Sequence, residues 1–122
     1  MSVEYPEYYQ RLQKLSGNLA KELRSPISAF AQLNGAVTAE GALSTKIKQL
    51  MALAIGVTVR CDGCIAYHVH DAIRAGATRQ EIMETIGVAI LMGGGPARVY
   101  ACEVLEAIDQ FEATGLIPTA AS

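Results

Sequence analysis

Apolar residues in this chain recur at steps of three and four along nearly its whole length and scarcely alternate, which leaves little room for anything but helices. Few runs of β-branched residues occur outside Gly56-Val57-Thr58-Val59. The expected class is all-α. Tyr5, Tyr8, Leu12, Leu15, Leu19 and Leu23 form a first stripe, with Arg11, Lys14, Lys21 and Glu22 mostly off it and Gly17 as a candidate interruption. Ser25-Pro26 reads as a helix start, Ser as N-cap and Pro as first helical residue, followed by Ile27, Phe30, Leu33 or Asn34, and Val37; Gly41 closes the region. Ser44 can cap a helix over 45–58, whose apolar face is expected at Ile47, Leu50, Met51, Ala54 and Ile55. No charge follows Lys48 until Arg60, so this helix belongs at the domain centre or at a subunit interface. A helix beginning near Cys61 should close at Gly76, a left-handed C-terminal position. Thr78 and Glu81 form a capping box that opens a helix to about Met92. Gly93-Gly94-Gly95-Pro96 is a turn into a last helix ending near Gly115, and the tail GLIPTAAS is expected to be poorly ordered. Six helices with short connections predict one bundle, a single domain over 1–122.

Composition narrows what that bundle does. With 122 residues, 51% hydrophobic and a mean hydropathy of +0.24, the chain is more apolar than a monomer needs, since a domain of this size buries only about 65% of its unfolded surface. The excess predicts a homo-oligomer. Ten Lys and Arg against twelve Asp and Glu give a net charge of −2, which offers no footprint for nucleic acid or for an anionic membrane. The uncharged stretch from Thr85 to Ala97 is too short, and too broken by glycine and proline, to span a bilayer. MSVEYPEYYQ carries acid and no apolar run, unlike a secretory signal, so a cytoplasmic location is expected. Three cysteines do not make a disulfide framework; a close pair in a reducing compartment is catalytic or metal-binding.

That pair is Cys61-Asp62-Gly63-Cys64, with His68 four residues beyond Cys64 and so over the same helical face. A thiol attacks as thiolate, and both a helix N-terminus and a nearby histidine lower its pKa. A second cysteine one turn away can then condense with an oxidised sulfur. This is two-cysteine redox chemistry. The competing reading is a zinc site of Cys61, Cys64 and His68 with His70 or Cys102 as fourth ligand, but structural zinc sites bring a second paired element and none is present. His70 points to another face as a surface or packing residue, and Cys102, at helical spacing among Val99, Leu105 and Ile108, is expected to be inert and buried. The three glycines lack the GK[ST] ending of a phosphate loop and read as a turn between helices. Tyr5, Tyr8 and Tyr9 are expected to pack the first helix. Glu81, Glu84, Glu103 and Glu106 are spaced as solvated charges, one of which could reach the cysteines.

The stretch KIKQLMALAIGVTVRCDGCIAYHVHDAIRAGATRQEIMETIGVAILMGGGPARVYA, with its CxxCxxxH and the AGAT turn at Ala75 to Thr78, resembles the carboxymuconolactone decarboxylase superfamily, specifically its alkylhydroperoxidase AhpD-like branch. The resemblance covers roughly residues 43–108. It implies an all-helical homo-oligomer, often a trimer or hexamer, and a peroxidase or disulfide-reductase activity needing no metal or other cofactor. It further implies that Cys64 is peroxidatic, Cys61 resolving and His68 the group that assists proton transfer, with a hydroperoxide as substrate and a dithiol as reductant. The lactone decarboxylation is not implied, because CxxC marks the redox branch. Two departures stand out. The relay glutamate of the pattern, twelve residues before the first cysteine, is Gln49 here, and an amide cannot accept a proton as a carboxylate does. Asp62-Gly63 replaces the residues between the cysteines, including any histidine there. Peroxidase activity is therefore expected to be weak unless another carboxylate substitutes, since general-base assistance contributes about 10²–10⁴ in rate. The apolar excess sits in 45–58 and 82–92, on either side of the cysteine segment, which predicts subunit contacts beside the pair.

Overall fold

The computed structural model describes residues 3–115. The tail expected to be loose lies, beyond Gly115, outside the described residues. The described residues are all-α, with six helices: α1 (Tyr5–Glu22), α2 (Arg24–Thr38), α3 (Thr45–Thr58), α4 (Asp62–Arg74), α5 (Arg79–Gly93) and α6 (Gly95–Thr114).

Capping residues set most boundaries. Ser44 Oγ accepts the Ile47 N–H at 3.1 Å and starts α3. Thr78 Oγ1 accepts the Glu81 N–H at 3.0 Å while Glu81 Oε1 accepts the Thr78 N–H at 2.8 Å, the expected capping box of α5. Gly94, at φ 71°, turns α5 directly into α6, and Gly115 ends α6 in the left-handed region.

Two boundaries differ from expectation. α1 runs through Gly17 without interruption, and α2 begins at Arg24 after a one-residue break at Leu23, so Ser25 lies inside the helix and caps nothing. The Leu23 backbone (φ −124°, ψ 57°) leaves the helical region, while its N–H still reaches the Leu19 carbonyl at 2.9 Å and its own carbonyl accepts from Ile27 at 3.1 Å. Hydrogen bonding thus continues across the bend. At its far end α2 stops at Thr38, ahead of Gly41.

The core gathers Leu53 and Val57 of α3, Ile65, Val69 and Ile73 of α4, Ile82 and Ile86 of α5, and Val104, Ile108 and Phe111 of α6, with Tyr5 of α1 buried among them. α3 splits the expected face: Leu50 and Ala54 pack against the core beside the inward Gln49, Leu53, Gly56 and Val57, whereas Ile47, Met51 and Ile55 are exposed. After Lys48 the helix carries no charge that would mark a polar side. Here the inward face is the one that lets α3 approach α4 at Gly56. Near the chain start, the Tyr5 N–H donates to Gln110 Oε1 at 2.7 Å and Gln110 Nε2 donates to the Val3 carbonyl at 3.0 Å, pinning α1 to α6. Tyr5 is fully buried, but Leu15, Leu19 and Leu23 of the same stripe are about half exposed, and α2 buries no residue at all.

Candidate functional site

Helix α3 ends in a turn whose hydrogen bonds deliver the first cysteine. Val59 is the C-cap, and Arg60 follows at φ 62°, the left-handed region that glycine favours. The Cys61 N–H reaches the Gly56 carbonyl at 3.0 Å and the Arg60 N–H reaches the Val57 carbonyl at 3.2 Å, the paired bonds of a Schellman motif. Cys61 thereby becomes the N-cap of α4, in extended conformation, with its sulfur accepting the Cys64 N–H at 3.1 Å. Cys61 and Cys64, with Cα atoms 5.2 Å apart, are joined as a disulfide.

Cys64 is held from the other side by α3. A Cβ added to Gly56 would lie 2.8 Å from Cys64 Cβ, so the two helices cross at a distance only glycine permits. One turn beyond Cys64, His68 Nδ1 donates to Gln49 Oε1 at 2.8 Å, and Gln49 is buried. The position where the resembled pattern carries glutamate is thus in hydrogen-bond contact with the histidine. With Nδ1 protonated, the lone pair resides on Nε2. Burial pushes the His68 pKa below its ordinary value, opposed only in part by Asp71, and so favours the neutral ring.

A second cluster lies at the N-terminal end of α4. Asp62 Oδ1 is buried without a hydrogen-bond partner, and the half-buried Glu103 faces it and the buried Tyr5 phenol from α6. Burial, then the charges of Glu103 and Asp62, push the Tyr5 phenol well up. Burial, then Asp62, likewise push the Glu103 carboxyl up. Beside them opens a cleft of about 390 Å³ lined by Val3, Glu4, Glu7, Tyr8, Arg11 and Asp62. Of the four glutamates expected to be solvated, Glu84 and Glu106 are exposed and Glu81 is tied to its cap and to Lys46 at 2.9 Å. Glu103 is the one that comes to this end of α4. Its spacing alone carried no signal, because the orientation of α6 against α4 decides it.

His70 is a packing residue, 7% exposed, with its ring stacked on Tyr9 at 4.1 Å and Nδ1 bonded to Asp71 Oδ1 at 2.9 Å. Cys102 is exposed, contrary to the expectation of a buried thiol: α6 turns Ala101 and Val104 inward and leaves Cys102, with Val99 and Leu105, on its outer side. Among the described residues no group of three or more His, Cys, Asp or Glu is arranged to hold a metal ion.

A helical bundle that carries a CxxC pair at a helix N-terminus, with a histidine one turn on, defines an all-α protein built around a cysteine pair. Residues 27–107 match the family model described as carboxymuconolactone decarboxylase family. The chain belongs to that family. It is 32% identical over 113 residues to an uncharacterized protein of Cupriavidus necator, covering 93% of this chain and all of that one. It is also 38% identical over 104 residues to an uncharacterized protein in the cox locus of Paracoccus denitrificans, covering 83% and 94%. Among solved structures, the apo form of a carboxymuconolactone decarboxylase family protein from Legionella pneumophila superposes with a TM-score of 0.84 at 37% identity, over 88% of this chain and 96% of that one. A family member from Thermotoga maritima with a suggested part in the antioxidative response gives 0.63 at 34% identity, over 72% and 94%. No helix among the described residues is long and apolar enough to cross a membrane.

Proposed function

We propose that this chain is a thiol oxidoreductase of the AhpD-like kind that cycles Cys61 and Cys64 between dithiol and disulfide. The observation that carries the reading is the joined pair at the start of α4, with His68 set one turn away by Gln49. In the oxidising half, the Cys64 thiolate attacks the distal oxygen of a hydroperoxide, the O–O bond breaks, and alcohol leaves with a proton, giving a sulfenic acid. The Cys61 sulfur then displaces hydroxide from that sulfenic acid, which departs as water and closes the disulfide. An external dithiol reduces the pair again, its own sulfurs becoming the disulfide. Neutral His68 takes the thiol proton at Nε2 and returns it to the leaving oxygen.

The test is turnover of hydroperoxide with a panel of dithiol donors, read beside intact mass after thiol trapping. Oxidation should remove about 2 Da, and neither Cys64→Ser nor Cys61→Ser should form the disulfide. An unchanged mass with both thiols accessible would sink the reading.

Gln49 favours a second emphasis within the same class. An amide passes no proton onward from His68, so disulfide exchange, which needs only thiolate and leaving thiol, is the activity least harmed by it. We further propose assembly into a homo-oligomer. Support comes from α2, which buries nothing and exposes Phe30, Leu33 and Val37, and from the outward faces of α3 and α5, where Met51, Ile55, Val88 and Met92 are half exposed or more. Sedimentation as a monomer at micromolar concentration would refute it.

A further inference from the structure

We propose that Arg60 is a positioning residue for the cysteine pair: its charge, planted at a left-handed backbone position, stabilises Cys61 as the thiolate that attacks an external disulfide. The proposal rests on the dithiol reading above and assigns the exchange nucleophile within it.

Three observations carry it. The turn after α4 repeats the turn after α3: the Ala77 N–H reaches the Ala72 carbonyl and the Gly76 N–H reaches the Ile73 carbonyl, each at 2.9 Å, with glycine at φ 98° in the left-handed place. The turn after α3 puts arginine in that place, a residue with no local means of relieving the strain. Strain retained beside reactive groups points to a use for the side chain. Next, Arg60 is exposed, and its guanidinium makes no ion pair or hydrogen bond among the described residues, so its charge serves no visible structural contact. Last, the charges around the start of α4 are mostly of the wrong sign for a thiolate. Asp62 follows Cys61 directly, Glu4 and Glu7 of α1 line the cleft with it, and Glu103 faces it from α6; α3 contributes no charge after Lys48, His68 is held towards its neutral form, and Arg11 of α1 is the cleft's single cation. Arg60 offsets that field at the residue next to Cys61.

The backbone favours Cys61 over Cys64. As N-cap its sulfur already accepts an amide N–H at the positive end of α4. Cys64 lies inside the helix, pressed against Gly56. In the exchange, Cys61 sulfur bonds to one sulfur of RS–SR, the RS–SR bond breaks, and the first RS⁻ leaves and is protonated with the Cys64 proton. Cys64 sulfur then attacks Cys61 sulfur, the mixed disulfide breaks, and the second RS⁻ leaves as thiol with a proton from solvent. The substrate gains the two electrons that the pair loses.

The experiment measures iodoacetamide alkylation of Cys61 against pH in the Cys64→Ser/Cys102→Ser protein, the second change removing the other exposed thiol. Arg60→Lys should retain the apparent thiol pKa. Arg60→Gln and Arg60→Gly should raise it, slowing alkylation at pH 7 by about three- to tenfold. In the otherwise unaltered chain, Arg60→Gly should melt at a higher temperature yet react more slowly with dipyridyl disulfide, a combination that a purely structural arginine would not produce. Alkylation at the parent rate in both neutral variants overturns the proposal, as does a more acidic Cys64 in the Cys61→Ser/Cys102→Ser protein; either result leaves the dithiol reading standing if the parent still closes its disulfide. Failure of the parent to form that disulfide overturns both.

Discussion

The turns that close α3 and α4 share one hydrogen-bond pattern and differ in what occupies two of its positions. After α4, the left-handed residue is Gly76 and the residue whose carbonyl accepts from the N–H five positions on is Ala72. After α3, those places are held by Arg60 and Gly56. The first turn has glycine where the backbone asks for it, and it serves only to pass the chain to the Thr78 cap. The second has its glycine at the helix contact and accepts strain at Arg60, and what it presents is a cysteine pair. A side chain at the left-handed position costs roughly 1–2 kcal/mol, and this cost sits beside the chemistry.

The largest expected effect breaks the α3 turn from within. Gly56→Ala places a methyl 2.8 Å from Cys64 Cβ, so α3 and α4 must separate, at about 1–3 kcal/mol for an overpacked contact. Thermal unfolding should show the loss, and the opened spacing should slow disulfide closure. Making the α4 turn resemble its counterpart comes next: Gly76→Arg puts a side chain at φ 98° and should cost about 1–2 kcal/mol in chemical denaturation, without touching thiol reactivity. The reciprocal Arg60→Gly should return about 0.5–1 kcal/mol, less than the strain itself because glycine gains more freedom in the unfolded chain. If Gly76→Arg is neutral, the left-handed position is cheaper in this fold than the comparison requires.

Much of this architecture could be read from residue chemistry. Ser44, Thr78 with Glu81, Gly76 and Gly115 fall at helix ends because each supplies a bond or a dihedral that an end needs. The left-handed Arg60 was illegible because arginine does not announce that conformation. Ser25-Pro26 pointed to a cap, yet the chain bends at Leu23 with its helical bonding continued, so no cap is needed there. For the site, Cys61, Cys64 and His68 follow from spacing within one helix, whereas the nearness of Glu103 and Tyr5 to Asp62 depends on how α6 and α1 lie across α4. The face of α3 was likewise undecidable from its own apolar pattern. Gln49 was singled out by resemblance alone, and its burial against His68 is a matter of packing between helices.

The smallest expected free-energy effect tests the other end of the pair, where Gln49 leaves neutral what Arg60 leaves charged at Cys61. Because burial holds the folded-state pKa of His68 below its ordinary value, the unfolded chain binds that proton more readily, and the stability this contributes is whole above about pH 6.5 and lost as the pH falls through the folded-state value. Gln49→Glu sets a carboxylate against Nδ1, favours the imidazolium and raises the folded-state pKa. Once the folded-state value exceeds the unfolded one the sign reverses: the histidine's contribution is present at low pH and is lost as the pH rises through the new value. Melting temperatures of the two proteins across about pH 5 to 8 should therefore diverge towards acid, with the variant relatively favoured there, and the His68 proton resonances should titrate later in the variant. Hydroperoxide consumption should rise with the same substitution, since the carboxylate can receive the proton that the amide cannot. Parallel melting curves would mean that the contact to His68 does not control its charge, and a faster reaction without the shifted titration would place the gain in proton transfer alone.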